Sequence, residues 1–211
     1  MTATLALELD FRGYWLSGTG RGGGGADFAV DRDRDGAPVV RGRHLQGNLR
    51  EAARSMALWR ADGWSEETID LLFGRSAAPG AGAAATLPGC IDIPDARLPD
   101  GARARLRDDP AGRAALTRFL PGVRIDPSGV AMNDMLRLVE ASVPLRLFTT
   151  LSWTPWERCN ADPDARAAIQ RLRLEAGWTA MVRACLSAMT ALGAQRSRGY
   201  GRVRIAAGRA A

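Results

Sequence analysis

The stretch from Leu16 to Arg54 constrains this chain more than any other. A glycine run ends at a single aspartate, Asp27. A short extended segment and an acidic turn follow, and a turn bearing Arg, His and Gln then opens a helix that carries Arg50 and Arg54. Glycine has no Cβ, so the backbone can approach a ligand closely there. A helix start offers free N–H groups to anions, and arginine forks match phosphates in a bidentate manner. One strand-to-helix unit therefore combines a polyanion grip with a carboxylate. The combination points to nucleic-acid binding, with metal-assisted cleavage as the associated chemistry.

The rest of the composition agrees with an anionic partner. Net charge is +6, and every one of the 29 basic residues is arginine, so lysine is absent. A basic balance of this kind favours nucleic acid or an anionic surface. A length of 211 residues with 46% apolar content suits one domain with its own core and an inserted subdomain. Cys90, Cys159 and Cys185 are odd in number and widely spaced, which argues against a disulfide framework or a zinc site and fits a reducing cytoplasm. The N-terminal residues carry no basic n-region, so no signal peptide is expected. No segment approaches the roughly 18 apolar residues of a membrane span.

Residues 3–16 place Leu5, Leu7, Leu9 and Phe11 on one side, the period-two pattern of a half-buried strand. Residues 26–30 and 37–41 predict a hairpin around the Asp35-Gly36 turn, with Asp31, Asp33 and Asp35 alternating with Arg32 and Arg34 at a solvated tip. Residues 43–61 predict a helix with Leu45, Leu49, Ala52, Ala53 and Met56 on its apolar face. A second helix is expected at 65–73 with Ser65 as N-cap. Residues 77–85 are low-complexity, and a strand follows at 90–98. Residues 99–141 interrupt the pattern and read as an insertion containing a hairpin. A strand at 143–153 precedes helical residues 163–191, with Asp162 as N-cap, Pro163 at the first helical position and Gly177 as a possible break. The basic glycine-rich turn before Arg202 leads into a final strand. This order predicts an α+β fold, a ferredoxin-like antiparallel sheet (a modified RNA-recognition motif) with an inserted hairpin subdomain.

The motifs exclude some chemistry. Gly18, Gly20 and Gly23 match a dinucleotide fingerprint formally, but an extended segment rather than a helix follows them. A phosphate loop of the Walker type needs a lysine. Asp27 is one carboxylate, suited either to solvent or to one Mg²⁺ or a ribose 2′-hydroxyl. His44, the only histidine, is open to three readings: acid/base catalysis, a hydrogen bond to phosphate, or packing at a helix start. No second acid/base partner is evident near it, which favours the last two. In the turn at 196–201, Arg196, Ser197 and Arg198 suit phosphate contact and Tyr200 suits stacking on a base. Most of the six tryptophans are expected in the core or at an interface.

Four segments taken in order resemble the RAMP superfamily of CRISPR-associated proteins, and in particular the repeating backbone subunit of type III effector complexes. They are GGGGADFAVDRDRDGAPVVRGRHLQGNLR, LFGR with IDIPDARL, VRIDPSGVAMNDMLRLVEASVP, and GAQRSRGYGRVRI. The resemblance implies a single RAMP-type domain over 1–211 with a thumb subdomain at about 99–141. It implies copies stacked along a CRISPR guide RNA beside other effector subunits, with no membrane partner and a cytoplasmic location. A thumb hairpin would push into the guide–target duplex, with Met132, Met135 and Leu136 as wedge candidates. Asp27 would hold Mg²⁺ or Mn²⁺ and serve cleavage of complementary target RNA by attack of the neighbouring 2′-hydroxyl. RNA contacts would fall to Arg21, Gly22, Gly23, Arg43, His44, Gln46, Arg50, Arg54, Arg196, Ser197, Arg198 and Tyr200. Two further readings are a non-catalytic guide-RNA scaffold and a metal-independent transcript-processing endoribonuclease that uses His44. The chain departs from the family pattern where arginine, histidine and glutamine (Arg43, His44 and Gln46) replace two serines and a lysine.

Overall fold

The computed structural model describes residues 4–18, 26–76 and 86–208. Four antiparallel strands form the main sheet: β1 (Thr4–Phe11), β2 (Ile91–Asp92), β5 (Arg146–Trp153) and β6 (Val203–Gly208), in the spatial order β2-β5-β1-β6. With β3 and β4 set aside as an insertion, this is the strand order of a ferredoxin-like fold. β1 alternates as its sequence requires. Leu5, Leu7, Leu9 and Phe11 are buried, and Leu147 and Leu151 of β5 join them. The helices α1 (Gly42–Leu58), α2 (Glu66–Phe73) and α7 (Leu174–Ala188) contribute Leu45, Leu49, Ile69, Leu72, Trp178 and Val182 to the same core. Trp15 stacks on Phe11 at 4.3 Å, and its indole N–H donates to Val143 O at 2.8 Å. Trp15, Trp153 and Trp178 are buried, whereas Trp59 and Trp156 are exposed.

The insertion runs from α3 (Asp100–Arg107) and α4 (Pro110–Ala115) into the hairpin β3 (Thr117–Ile125) and β4 (Ala131–Ser142). After β5, the helical stretch divides into α5 (Trp156–Ala161), α6 (Pro163–Arg171) and α7. Ser65 caps α2 by accepting from Thr68 N, and Asp162 caps α6 by accepting from Asp164 N, as the sequence predicts. The break falls at Arg173, which adopts φ 50°, and Gly177 lies inside α7.

Three expectations need correction. The hairpin at 26–41 exists only near its tip, where Arg32 pairs with Pro38; its two arms diverge. Phe28 instead pairs in parallel with Val139 on β4, and Val40 pairs with Ala96. The acidic tip is not solvated. Asp33 and Asp35 are buried against Arg103 of α3, at 3.0 and 2.7 Å, and Arg107 adds a contact to Asp35 at 3.0 Å. Burial alone would raise the Asp35 pKa, but the hydrogen bonds and charges of Arg107 and Arg103 lower it below the ordinary carboxylate value. The extended segment at 90–98 is a strand only over Ile91–Asp92, with an isolated pairing of Arg97 to Phe148 further on.

Candidate nucleic-acid interface

Asp27 lies on the insertion hairpin. Its backbone N–H donates to Leu138 O at 2.8 Å, and its Oδ2 accepts from Leu138 N at 2.8 Å. Glu140 N donates to Phe28 O at 2.9 Å, so residues 27–30 extend the hairpin on the edge of β4 opposite β3. Glu140 secures this addition. Its buried carboxylate accepts from Val30 N at 3.0 Å and pairs with Arg32. Burial pushes the Glu140 pKa up, but Arg32 and the Val30 amide more than reverse this, and the net shift is downward.

Directly opposed residues of an antiparallel pair share a face. Phe119, Pro121 and Val123 of β3 lie opposite Glu140, Leu138 and Leu136 of β4. Leu136 is 71% exposed and Val123 48% exposed, so this face presents apolar side chains to solvent. Met132 is exposed to a lesser degree; the Met135 side chain lies outside the described residues, as do Arg21, Gly22 and Gly23 entirely. The other face carries Leu120 and Val139, with Arg137 opposite Gly122.

That second face borders a cleft of about 600 Å³ shared with Arg198 and Tyr200 of the C-terminal glycine-rich turn. The turn is a 3₁₀ segment, Arg196–Arg198, held by close backbone contact. Gly201 has φ 74°, and a Cβ there would stand 1.9 Å from Leu192 O, so only glycine fits. Gly201 N donates to Tyr14 O and Ala194 N to Leu16 O, which fixes the turn beside the start of the glycine run. Arg137 and Arg198 have no carboxylate partner among the described residues. Arg137 is a residue the sequence did not single out, because nothing local distinguishes it from other arginines of the hairpin.

The two basic bends converge. Arg196 reaches α1, donating to Asn48 Oδ1 and Glu51 Oε2, both at 3.1 Å. His44 sits beside it. Burial, and then the Arg196 charge, hold its imidazole below the ordinary value, so it stays neutral at physiological pH. Arg43, Arg54 and Ser197 are exposed, with Arg54 loosely near Glu66 at 3.8 Å. Arg50 is instead mostly enclosed and paired with Asp70 at 2.7 Å, and Gln46 Nε2 donates to Phe73 O at 2.7 Å. These two residues shape the α1 surface rather than projecting from it.

The expected free helix start is already filled. Asp95 Oδ1 accepts from Gly42 N at 2.9 Å and thereby caps α1 from a distant loop. Arg41 bridges Asp95 at 3.0 Å and Asp31 at 2.6 Å. The hydrogen bond to Asp31 chiefly raises the Arg41 pKa, so the guanidinium stays charged. An internal carboxylate thus takes the place where an external anion would bind.

Among the described residues no three His, Cys, Asp or Glu side chains gather to hold a metal ion. The second oxygen of Asp27, Oδ1, has no partner among those residues. A single carboxylate oxygen suits Mg²⁺ held mainly by water and substrate phosphate, not a protein cage. Burial pushes the Cys90 and Cys185 thiols up to about 12, so both are core groups and not nucleophiles.

A ferredoxin-like sheet, an inserted hairpin and a basic glycine-rich turn at one end define the class of domain. Residues 8–204 match the RAMP superfamily, and the chain belongs to that family. Among solved structures, it resembles a chain of the type III-B Cmr-beta complex in the apo state (TM-score 0.60, 12% identity, covering 97% of each chain). It also resembles a chain of type III-B Cmr-beta bound to cognate target RNA (TM-score 0.59, 10% identity, 97% of this chain and 96% of the other). A chain of a type IV-B CRISPR complex is similar at TM-score 0.51 and 14% identity, over 97% of this chain and 90% of that one. At such identities the likeness concerns the fold. No curated protein sequence matches the chain. No helix among the described residues is long and apolar enough to cross a membrane.

Proposed function

We propose that this chain is a backbone subunit of a CRISPR effector complex of type III, which binds guide RNA in the cleft between the hairpin and the glycine-rich turn. In this reading it stacks with further copies of itself and with other effector subunits, and it cuts complementary target RNA beside Asp27. The single observation that carries the reading is the attachment of Asp27 to Leu138, two residues along β4 from the exposed Leu136. The carboxylate and the exposed Leu136 are thus tied to one strand, and Arg137 and Arg198, without a carboxylate partner among the described residues, line the cleft on the other face. Guanidiniums bind phosphate, Tyr200 stacks on a base, and Leu136 occupies an unstacked step.

The Asp27 carboxylate would hold Mg²⁺ or Mn²⁺, which supplies charge stabilisation at the phosphate when bound. Asp27 orients the 2′-hydroxyl of the displaced nucleotide. The 2′-oxygen attacks the adjacent phosphorus and the bond to the 5′-oxygen breaks, leaving a 2′,3′-cyclic phosphate; the hydroxyl proton passes to solvent, and solvent protonates the departing 5′-oxygen to a 5′-hydroxyl. Asp27→Ala in the assembled complex is expected to retain guide RNA and abolish target cleavage in Mg²⁺. Loss of guide RNA or of assembly in this variant would make Asp27 structural and refute its catalytic role.

One observation favours a second reading, the non-catalytic scaffold. Asp27 already spends Oδ2 on the Leu138 amide, and no group of three His, Cys, Asp or Glu side chains gathers around it among the described residues. Intact target RNA after incubation of wild-type complex with Mg²⁺ or Mn²⁺ would select that reading. The His44 endoribonuclease has less support, since its imidazole is half-buried beside a guanidinium, without an acid partner among the described residues.

A further inference from the structure

We propose that the cleft between α2 and α6 binds a zwitterion, the basic residue that closes a peptide chain. Its carboxylate is held by Arg158 and its side-chain cation by acids at the rim. The inference goes beyond the RNA-binding reading and does not depend on it. The cleft measures about 640 Å³, a size that suits a small ligand. Five acidic residues and three arginines line it, so on a chain of net charge +6 it is a locally acidic place that repels a polyanion.

Arg158, on α5, forms the floor. It is 3% exposed, yet no carboxylate among the described residues pairs with it. Its Nη1 donates to Pro88 O at 3.2 Å, and its Nε has no hydrogen-bond partner among the described residues. The segments outside the described residues contain no Asp or Glu. A guanidinium stays charged, and a buried charge is unfavourable without an ionic partner. The other arginines of the lining are occupied. Arg171 reaches from α6 to Glu67 of α2 at 2.6 Å, and Arg75 shares Asp70 with Arg50. The floor therefore offers N–H donors to an anion, and the planar fork of a guanidinium matches a carboxylate.

The rim carries the opposite sign. Asp162 and Asp164, at the start of α6, have no ion partner among the described residues, and Glu66 stands only loosely near Arg54, at 3.8 Å. Asp162 N donates to Arg158 O at 2.9 Å, so the floor cation and the rim acids are fixed one backbone turn apart. Leu71, Ala165 and Ala168 supply apolar lining. A ligand that satisfies both ends has its charges set apart by an apolar chain, as in the four-carbon stem of lysine. The α-ammonium of a free amino acid would lie beside its carboxylate and be repelled by Arg158. An acylated nitrogen is neutral, which favours the carboxyl end of a peptide.

The test measures, by titration calorimetry on the full chain, the binding of four probes. They are Nα-acetyl-lysine, Nα-acetyl-lysinamide (no carboxylate), Nα-acetylnorleucine (no ammonium) and free lysine. Nα-acetyl-lysine is expected to bind about tenfold more tightly than each of the others, the factor one charged hydrogen bond supplies. Arg158→Met should erase the preference over the amide, and Asp164→Asn the preference over norleucine. Thermal melting confirms folding of each variant, and the exposed Asp164 keeps the test decisive if Arg158→Met does not fold. Equal affinity of wild type for the three acetylated probes, or binding of none, would overturn the inference. So would discrimination that survives in every folded variant. Free lysine binding as tightly as Nα-acetyl-lysine would overturn the assignment to a peptide end. Displacement of a bound single-stranded RNA oligonucleotide by Nα-acetyl-lysine would place the cleft within the RNA site and overturn its independence. Failure on any of the first three counts leaves the proposed function standing.

Discussion

Replacement of Glu140 by alanine tests how Asp27 is held. Two kinds of interaction are lost. The Val30 amide is left without its acceptor in a buried position, which costs about 1–3 kcal/mol. The pair with Arg32 is lost as well; the Arg32 side chain is 34% exposed, so solvent screening limits this contribution to about 1 kcal/mol. Together the loss is about 2–4 kcal/mol, or roughly 4–16 °C in melting temperature for a domain of this size. Hydrogen exchange should rise selectively in residues 26–32 and along β4. The effect should also depend on pH. Because the folded-state pKa of Glu140 lies below its ordinary 4.5, its contribution is present above that value and disappears as pH falls through the folded-state value. The difference between wild type and Glu140→Ala should therefore narrow in acid, where the protonated carboxyl keeps only its neutral bond to Val30 N. An unchanged melting temperature at neutral pH, or a difference that does not narrow in acid, would refute the reasoning.

Two further outcomes follow from the same interactions. Gly42→Ala would put a Cβ 1.8 Å from Ile93 O, so the α1 start or the 93–95 loop must shift. Helix propensity alone predicts a gain of about 1 kcal/mol, whereas the clash predicts a loss of about 3 kcal/mol; calorimetry showing stabilisation would reject the close approach. Arg103→Ala should lower the melting temperature and detach α3, detected as faster proteolysis within residues 100–116, because Asp33 and Asp35 lose their shared partner. Unchanged proteolysis would show that the charge cluster does not anchor the insertion.

What the sequence made legible was what local spacing governs. The alternation of Leu5, Leu7, Leu9 and Phe11 gave β1, and the caps Ser65 and Asp162 marked α2 and α6, because each signal lies within a few residues of its effect. The misread parts depend on distant partners. Asp33 and Asp35 look like turn formers until Arg103, 68 positions from Asp35, comes to meet them. Residues 26–30 look like half of a local hairpin, yet Val30 bonds to Glu140, 110 positions away. The Gly42 amide finds Asp95, 53 positions along. The convergence of Arg196 on α1 lay within reach of motif reading, since both bends are basic and glycine-bearing; Arg75 and Arg137 did not, since only folding sets them in their clefts.

The junction of Asp27 with β4 works as a caliper. Leu136 and Leu138 are two residues apart on a strand, a span of about 6.6 Å, and Asp27 is clipped to the second of them by its carboxylate, which accepts from Leu138 N, and by its backbone N–H, which donates to Leu138 O. Bending or swinging of the hairpin would carry the acid along with it. The interval between Leu136 and the acid is thus set by one strand repeat and two hydrogen bonds, and under the proposed function it would recur at the same spacing in each copy along a stack.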